Sequence, residues 1–221
     1  YETGLPLAEI AFAAGFGSVR RFNAAIRGAF ARTPTELRAR TRASGGDAAL
    51  TLTLPFRAPY AWAPLVEFLA ARAIPGVESI VGTSDGSVYR RTTADGGIVT
   101  VRAGERALQA TLHVPSARGL RDAVERIRRL FDVAADPIAI GATLARDSTL
   151  RAAVRACPGR RVPGGWDGLE LAIRAILGQQ ISVVRATQLA GKLVAAGGTP
   201  LAAPDGALTH VVVEPALVAR R

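Results

Sequence analysis

Two adjacent amides, Gln179 and Gln180, stand between two apolar helical patterns, with Ser182 two positions further on. A base drawn out of a DNA duplex leaves a gap in the stack. A glutamine is long enough to fill that gap and to bond to the orphaned partner base. Ser182, with the free N–H groups of the helix it opens, suits a phosphate. The same residues also suit a plain helix cap or a buried polar network. A second group is Arg20, Arg21, Asn23 and Arg27, all off the apolar stripe of one short helix. Guanidinium and amide groups on an outer helix face reach phosphates and base edges. The alternative is a small helical bundle with a solvated arginine face.

Other chemistries lack their residues. The single cysteine, Cys157, stands alone before Pro158, and His113 and His210 lie far apart. Neither an internal disulfide nor a metal-ligand spacing follows, so no metal and no cofactor is expected. There is no Gly-rich phosphate loop and no paired acid–base set, which argues against an enzyme acting on a small anionic substrate. Asp167 and Glu170 form a capping box at a helix start, and Asp205-Gly206 lies in a linker-like run. No catalytic residue is assigned.

The elements that must position these groups fall into three stretches. Before Ala43-Ser44-Gly45-Gly46-Asp47, which reads as a linker, the pattern is helical. Leu7 to Ala14 is followed by the turn Gly15-Phe16-Gly17. Ser18 then caps a helix over 19–30, with Val19, Phe22, Ile26 and Phe30 on one stripe. Thr33-Pro34-Thr35-Glu36 is a capping box that opens a short basic helix over 37–42. Next, the period changes to two at Leu50, Leu52 and Leu54, and strands are expected around 87–92, 98–102 and 107–114. Helices over 61–73 and 117–130 complete a β-α-β-β-β-α order, an antiparallel sheet with helices on one face. From Asp136-Pro137 onward everything reads as helix. The expected fold class is α+β, with units at 1–43, 50–135 and 136–221 and a linker at 44–49.

Composition supports a polyanion partner. Of 221 residues, 49% are apolar and 21% charged; 28 basic residues face 18 acidic ones, a formal net charge of +10. Lys192 is the only lysine. The first 46 residues, with seven basic and three acidic groups, are densest in net positive charge. No apolar run spans a bilayer, and the start resembles no signal peptide, so a cytoplasmic protein is expected; the sequence gives no oligomeric state, and a monomer is the default. The absence of methionine, even at position 1, suggests a piece of a longer protein.

Residues 5–42 resemble the last helix-turn-helix of AraC-type transcription regulators. The stretches that carry this are Leu7-Ala8-Glu9-Ile10-Ala11, Gly15-Phe16-Gly17-Ser18, Phe22 and Thr33-Pro34-Thr35-Glu36-Leu37-Arg38. That family pairs two such motifs, of which the second is present. Residues 50–200 resemble alkylation-repair DNA glycosylases of the AlkA type, through Pro59-Tyr60-Ala61-Trp62, Phe68-Leu69-Ala70-Ala71-Arg72, Gly76-Val77-Glu78, Arg161-Val162-Pro163-Gly164-Gly165-Trp166-Asp167 and Arg174 to Val183. The resemblance implies a small sheet-and-helix domain against the start of a helical helix-hairpin-helix domain. It also implies double-stranded, alkylated DNA as partner and hydrolysis of the N-glycosidic bond of 3-methyladenine-like bases without metal or cofactor. It makes Gln179 a pocket or groove glutamine and Gln180 the wedge, where some relatives carry Leu. It makes Phe68 an aromatic wall of the base pocket, with a plain core Phe as the alternative. Tyr60 and Trp62 would pack the two domains together. The family's catalytic Asp and the Gly-rich hairpin before it have no counterpart here, so the 221 residues are expected not to excise bases. The alternatives are an AraC-type regulator or a non-catalytic DNA-binding protein.

Overall fold

The computed structural model describes residues 6–8, 11, 17–30, 32–36, 49–115 and 117–212. The predicted linker lies outside them apart from Ala49, as does the expected short helix over 37–42. A five-stranded antiparallel sheet dominates, in the order β1-β5-β4-β3-β2, where β1 is Leu50–Pro55, β2 Glu78–Val81, β3 Val88–Thr92, β4 Ile98–Ala103 and β5 Ala107–His113. Alternation decides which face is buried. Leu54 pairs with Leu108, Leu52 with Ala110, Val99 with Leu112 and Tyr89 with Val101, and all eight are buried. Onto these residues pack the helix Trp62–Ala70 (α2) and the helix Ala117–Leu130 (α3), through Leu65, Leu69, Val124 and Ile127.

The sheet has one strand more than the sequence pattern predicts. β2 is four residues long and begins with a buried glutamate, so it shows no apolar alternation. It exists because β3 offers a partner across the turn at residues 82–87. Near Arg161 the chain is gathered by one guanidinium. Arg161 donates to the carbonyls of Asp132, Ala135, Arg57 and Pro59 and stacks 4.7 Å over the Tyr60 ring. Tyr60 thus does join the sheet unit to the 157–163 segment. Trp62 instead packs inside the sheet unit, on Phe131, with its indole N–H donating to the Ser87 carbonyl.

Four further helices follow: Pro137–Leu144 (α4), Ser148–Ala156 (α5), Gly168–Leu177 (α6) and Val183–Gly197 (α7). Side chains at Asp136, Asp147, Asp167 and Ser182 each accept from a first-turn N–H, which places the helix starts where the sequence suggests. The expectation of helix alone beyond Asp136 is overturned by a hairpin of β6 (Thr199–Asp205) and β7 (Leu208–Val211). Asp205 ends β6 and Gly206 begins the turn, so the pair is no linker. Two prolines and an irregular register hide this hairpin from periodicity. Tertiary bonds hold it: Thr209 and His210 donate backbone N–H to the Gly76 carbonyl, Thr92 donates to His210, and Arg90 pairs with Asp205. No helix among the described residues is long and apolar enough to cross a membrane.

The N-terminal helix Val19–Phe30 (α1) does not hang free. Ser18 caps it, and Thr33 and Glu36 exchange the two capping-box bonds after it. Phe30 joins the core of the sheet unit, Ile26 packs beside it, Arg32 donates to the Thr51 carbonyl on edge strand β1, and Arg128 of α3 donates to the Gly28 carbonyl. Phe30→Ala is therefore expected to lower the stability of the whole chain by about 3 kcal/mol in a single unfolding transition. Denaturant unfolding followed by tryptophan fluorescence and by far-UV dichroism checks this. Two separate transitions, with only the smaller one moved, would contradict it.

Candidate nucleic-acid interface

The site is built around α6. Asp167 caps its start, accepting from Glu170 N–H at 2.8 Å, but the reciprocal half of the predicted capping box is not made. The Glu170 carboxylate turns inward, because two guanidiniums lie there. Arg91 of β3, 1% exposed, donates to Glu170 Oε2 at 2.7 Å and to Glu78 Oε1 at 3.2 Å, with Trp166 stacked 4.2 Å from it. Arg174, one turn beyond Glu170 on α6, donates Nε and Nη2 to Glu170 Oε1 at 2.9 and 2.8 Å, and Nη2 also to Glu78 Oε2. Tyr89 adds its O–H to Glu78 at 2.6 Å. Two buried carboxylates thus meet two guanidiniums, and α6 is tied to the β2–β3 hairpin.

At its far end α6 runs into the predicted amides. Gly178 N–H still bonds to the Arg174 carbonyl at 2.9 Å, and Gln179 folds back so that Nε2 donates to the Ala175 carbonyl at 3.0 Å. Gln180 is exposed and adopts a left-handed backbone with φ of 56°. Ser182 follows, its Oγ accepting the Arg185 N–H at 3.3 Å to cap α7. Gln179, Gln180 and Ser182 therefore share one exposed corner, with Ile181 also at the surface.

Phe68 is not a plain core residue. It is 43% exposed and walls a cleft of about 350 Å³ shared with Arg72, Trp166, Leu171, Arg174 and Ala175. The Arg72 guanidinium lies 3.6 Å over its ring. A smaller hollow of about 160 Å³ lies under the corner, lined by Gly178, Ile181 and Val183 and again by Arg72 and Arg174. These two arginines border both spaces. Sequence reasoning missed them, together with Glu78 and Arg91. One signal was present: Arg91 has the same strand parity as Tyr89 and so must point inward. Arg20, Arg21 and Arg27 are exposed on α1 and Asn23 is half-buried. They sit on the helix that packs on β1 and α3, and no contact among the described residues joins them to the corner.

The model of the AlkA N-terminal domain family matches residues 51–167. The chain belongs to the AlkA N-terminal domain family. A Mycobacterium tuberculosis protein named "Probable bifunctional transcriptional activator/DNA repair enzyme AlkA" is 43% identical over 216 residues, covering 94% of this chain and 43% of that protein. The Escherichia coli protein "DNA-3-methyladenine glycosylase 2" is 35% identical over 148 residues, covering 64% of this chain and 48% of its own length. The chain thus spans about half the length of the curated relatives it matches. Among solved structures, a 3-methyladenine DNA-glycosylase from Archaeoglobus fulgidus superposes with a TM-score of 0.63 at 19% identity, over 76% of this AlkA-family chain and 57% of that one. MBOgg1 in complex with a low-affinity DNA ligand gives 0.55 at 17%, over 78% and 54%. These two show a shared mixed helix-and-sheet fold.

The ion network has a pH signature. Burial alone would raise the Glu170 carboxyl, but the charges and hydrogen bonds of Arg91 and Arg174 outweigh it and hold it below the ordinary 4.5. A carboxyl lowered on folding contributes stability that is complete above its unfolded value and lost as pH falls through the folded one. In thermal melts the share of stability that Glu170 contributes is therefore expected to hold from pH 7 down to about 4.5 and to be lost below it. Glu170→Gln is expected to cost about 3 kcal/mol at pH 7 and to flatten that acid limb.

Proposed function

We propose that this protein serves base-excision repair of alkylated DNA, binding and opening the duplex at the place where the N-glycosidic bond of a 3-methyladenine-like base is hydrolysed. The observation that carries the reading is the exposed Gln179–Ser182 corner beside the Phe68 cleft, in a chain of the AlkA N-terminal domain family. Gln180 enters the stack where the damaged nucleotide leaves, and Ser182 with the first N–H groups of α7 holds a neighbouring phosphate. Phe68 offers an aromatic face to the extruded base, and Gln179, tethered to α6, lines the approach.

The same geometry says which step these residues leave open. Glu78 and Glu170 border the cleft, yet both carboxylates are bound to guanidiniums and are not available to activate water. Among the described residues, no catalytic carboxylate is assigned. In this reading the chain binds and opens the duplex, and the hydrolytic carboxylate comes from outside the described residues.

The segment over 1–43 is read as an AraC-type helix-turn-helix, with Arg20, Arg21, Asn23 and Arg27 on its DNA face. Supporting this are the capped α1 and the match to the M. tuberculosis relative, which leaves too little of the chain unmatched to omit that helix. The same helix favours a second reading, a sequence-specific transcription regulator. Preference for one duplex sequence without preference for lesions would select it.

Two measurements test the proposal. The 221 residues should bind duplex DNA yet release no base from a 3-methyladenine-containing duplex; turnover would refute the assignment of no catalytic residue. Arg20→Ala with Arg21→Ala should weaken duplex binding and reduce the slope of log K against log salt by about 1 to 2, one unit for each lost phosphate contact. An unchanged slope would remove α1 from the interface.

A further inference from the structure

The network under α6 does more than hold two units together, and what it adds rests on the repair reading of the corner. Arg174 touches both halves of the candidate site. Its carbonyl accepts the Gly178 N–H at 2.9 Å, the last α-helical bond before Gln179 and Gln180. Its Nη1 donates to the Arg72 carbonyl at 2.6 Å, just past the end of α2. Arg72 in turn donates to the Phe68 carbonyl at 3.1 Å and covers the Phe68 ring. From one residue, then, an unbroken path runs to the wedge on one side and to the aromatic wall on the other.

We propose that Arg174 is a positioning residue that sets the distance between the Gln180 corner and the Phe68 wall, by clamping α6 to Glu78 on β2 and to the Arg72 carbonyl. Glu78, Glu170 and the Arg72 carbonyl lie in three directions, and a planar guanidinium serves all three at once. An ammonium is a point charge on a flexible stem and leaves at least one of them unmet. The Arg174 side chain also keeps 26% exposure, whereas both carboxylates keep 4%. A charged replacement therefore remains hydrated where the buried members could not. Purely as a stabiliser, a buried ionic cluster does no better than apolar packing of the same shape. Its directional bonds are what apolar packing cannot supply, and they tie α6, which ends at the Gln180 corner, to β2 and to the end of α2, which carries Phe68.

The experiment compares the wild-type protein with Arg174→Lys and Gln180→Ala on a duplex carrying 2-aminopurine, whose fluorescence rises when it leaves the stack. Thermal melts and undamaged-duplex affinity are measured alongside. Arg174→Lys is expected to stay folded and to bind the duplex with a Kd within about twofold of wild type, but to show a fluorescence rise about tenfold smaller; where groups must be positioned, a misplacement of about 1 Å can cost as much as ~100-fold. Gln180→Ala is expected to lose the rise directly. A full rise in Arg174→Lys with a lost rise in Gln180→Ala overturns the positioning role and leaves the repair reading standing. No rise in the wild type, or an equal rise in all three proteins, overturns the reading of the corner itself. Should Arg174→Lys not fold, Arg174→Gln, which keeps a planar donor, is put through the same comparison. Loss of folding in both makes Arg174 a folding residue only, and the proposal fails.

Discussion

Two carboxylates and two guanidiniums, almost all out of water, form the contact on which the rest of this molecule depends. A lone charge in that position would be prohibitive. Glu78 and Glu170 are tolerated because Arg91 and Arg174 reach both, and because Tyr89, the Ile74 N–H and the Trp166 ring satisfy what the ion pairs leave over. Each pair is neutral by itself, Glu78 with Arg91 on the sheet and Glu170 with Arg174 on α6, but the Arg91–Glu170 and Arg174–Glu78 bonds cross from sheet to helix. The helical part can therefore seat on the sheet in only one register. A slide of α6 by a single turn would set Arg174 against Arg91 in one direction or Glu170 against Glu78 in the other, like charge on like.

Arginine serves as mortar elsewhere in the chain. Arg161 spends its side chain on four backbone carbonyls, Arg126 binds the Trp166 carbonyl and Asp167, and Arg32 and Arg128 each take one carbonyl at the junction with α1. Part of the basic composition is thus spent inside the molecule and not displayed for a partner. The basic composition suits a polyanion partner, but part of it is consumed internally. The arginines left at the surface of α1 are the ones that composition alone could not separate from the structural set.

Legibility followed how local each determinant is. Helix starts were readable because a cap needs only one side chain and a nearby N–H, as at Asp136, Asp167 and Ser182. Strands β1, β3, β4 and β5 were readable because one buried face imposes a period of two. β2, β6 and β7 were not, since each owes its shape to a distant partner: β3 for the first, Gly76, Thr92 and Arg90 for the hairpin. Glu170 misled for the same reason. Three residues after Asp167 it matches a local motif, while the groups that claim it are 79 residues earlier in the chain and one turn ahead. The Gln179–Ser182 corner was legible as a helix junction; the cleft behind it was not, because Phe68, Arg72 and Arg174 meet only on folding.

Gln180 carries a further implication through its backbone. A left-handed φ is comfortable for glycine and costs a residue with a long side chain about 1 kcal/mol. Glycine at 180 would make the chain sturdier and remove the long amide from the corner. Pressure for durability and pressure for work thus pull this one position in opposite directions. A screen for heat resistance alone should drift toward variants that melt later and have lost the exposed amide at this corner.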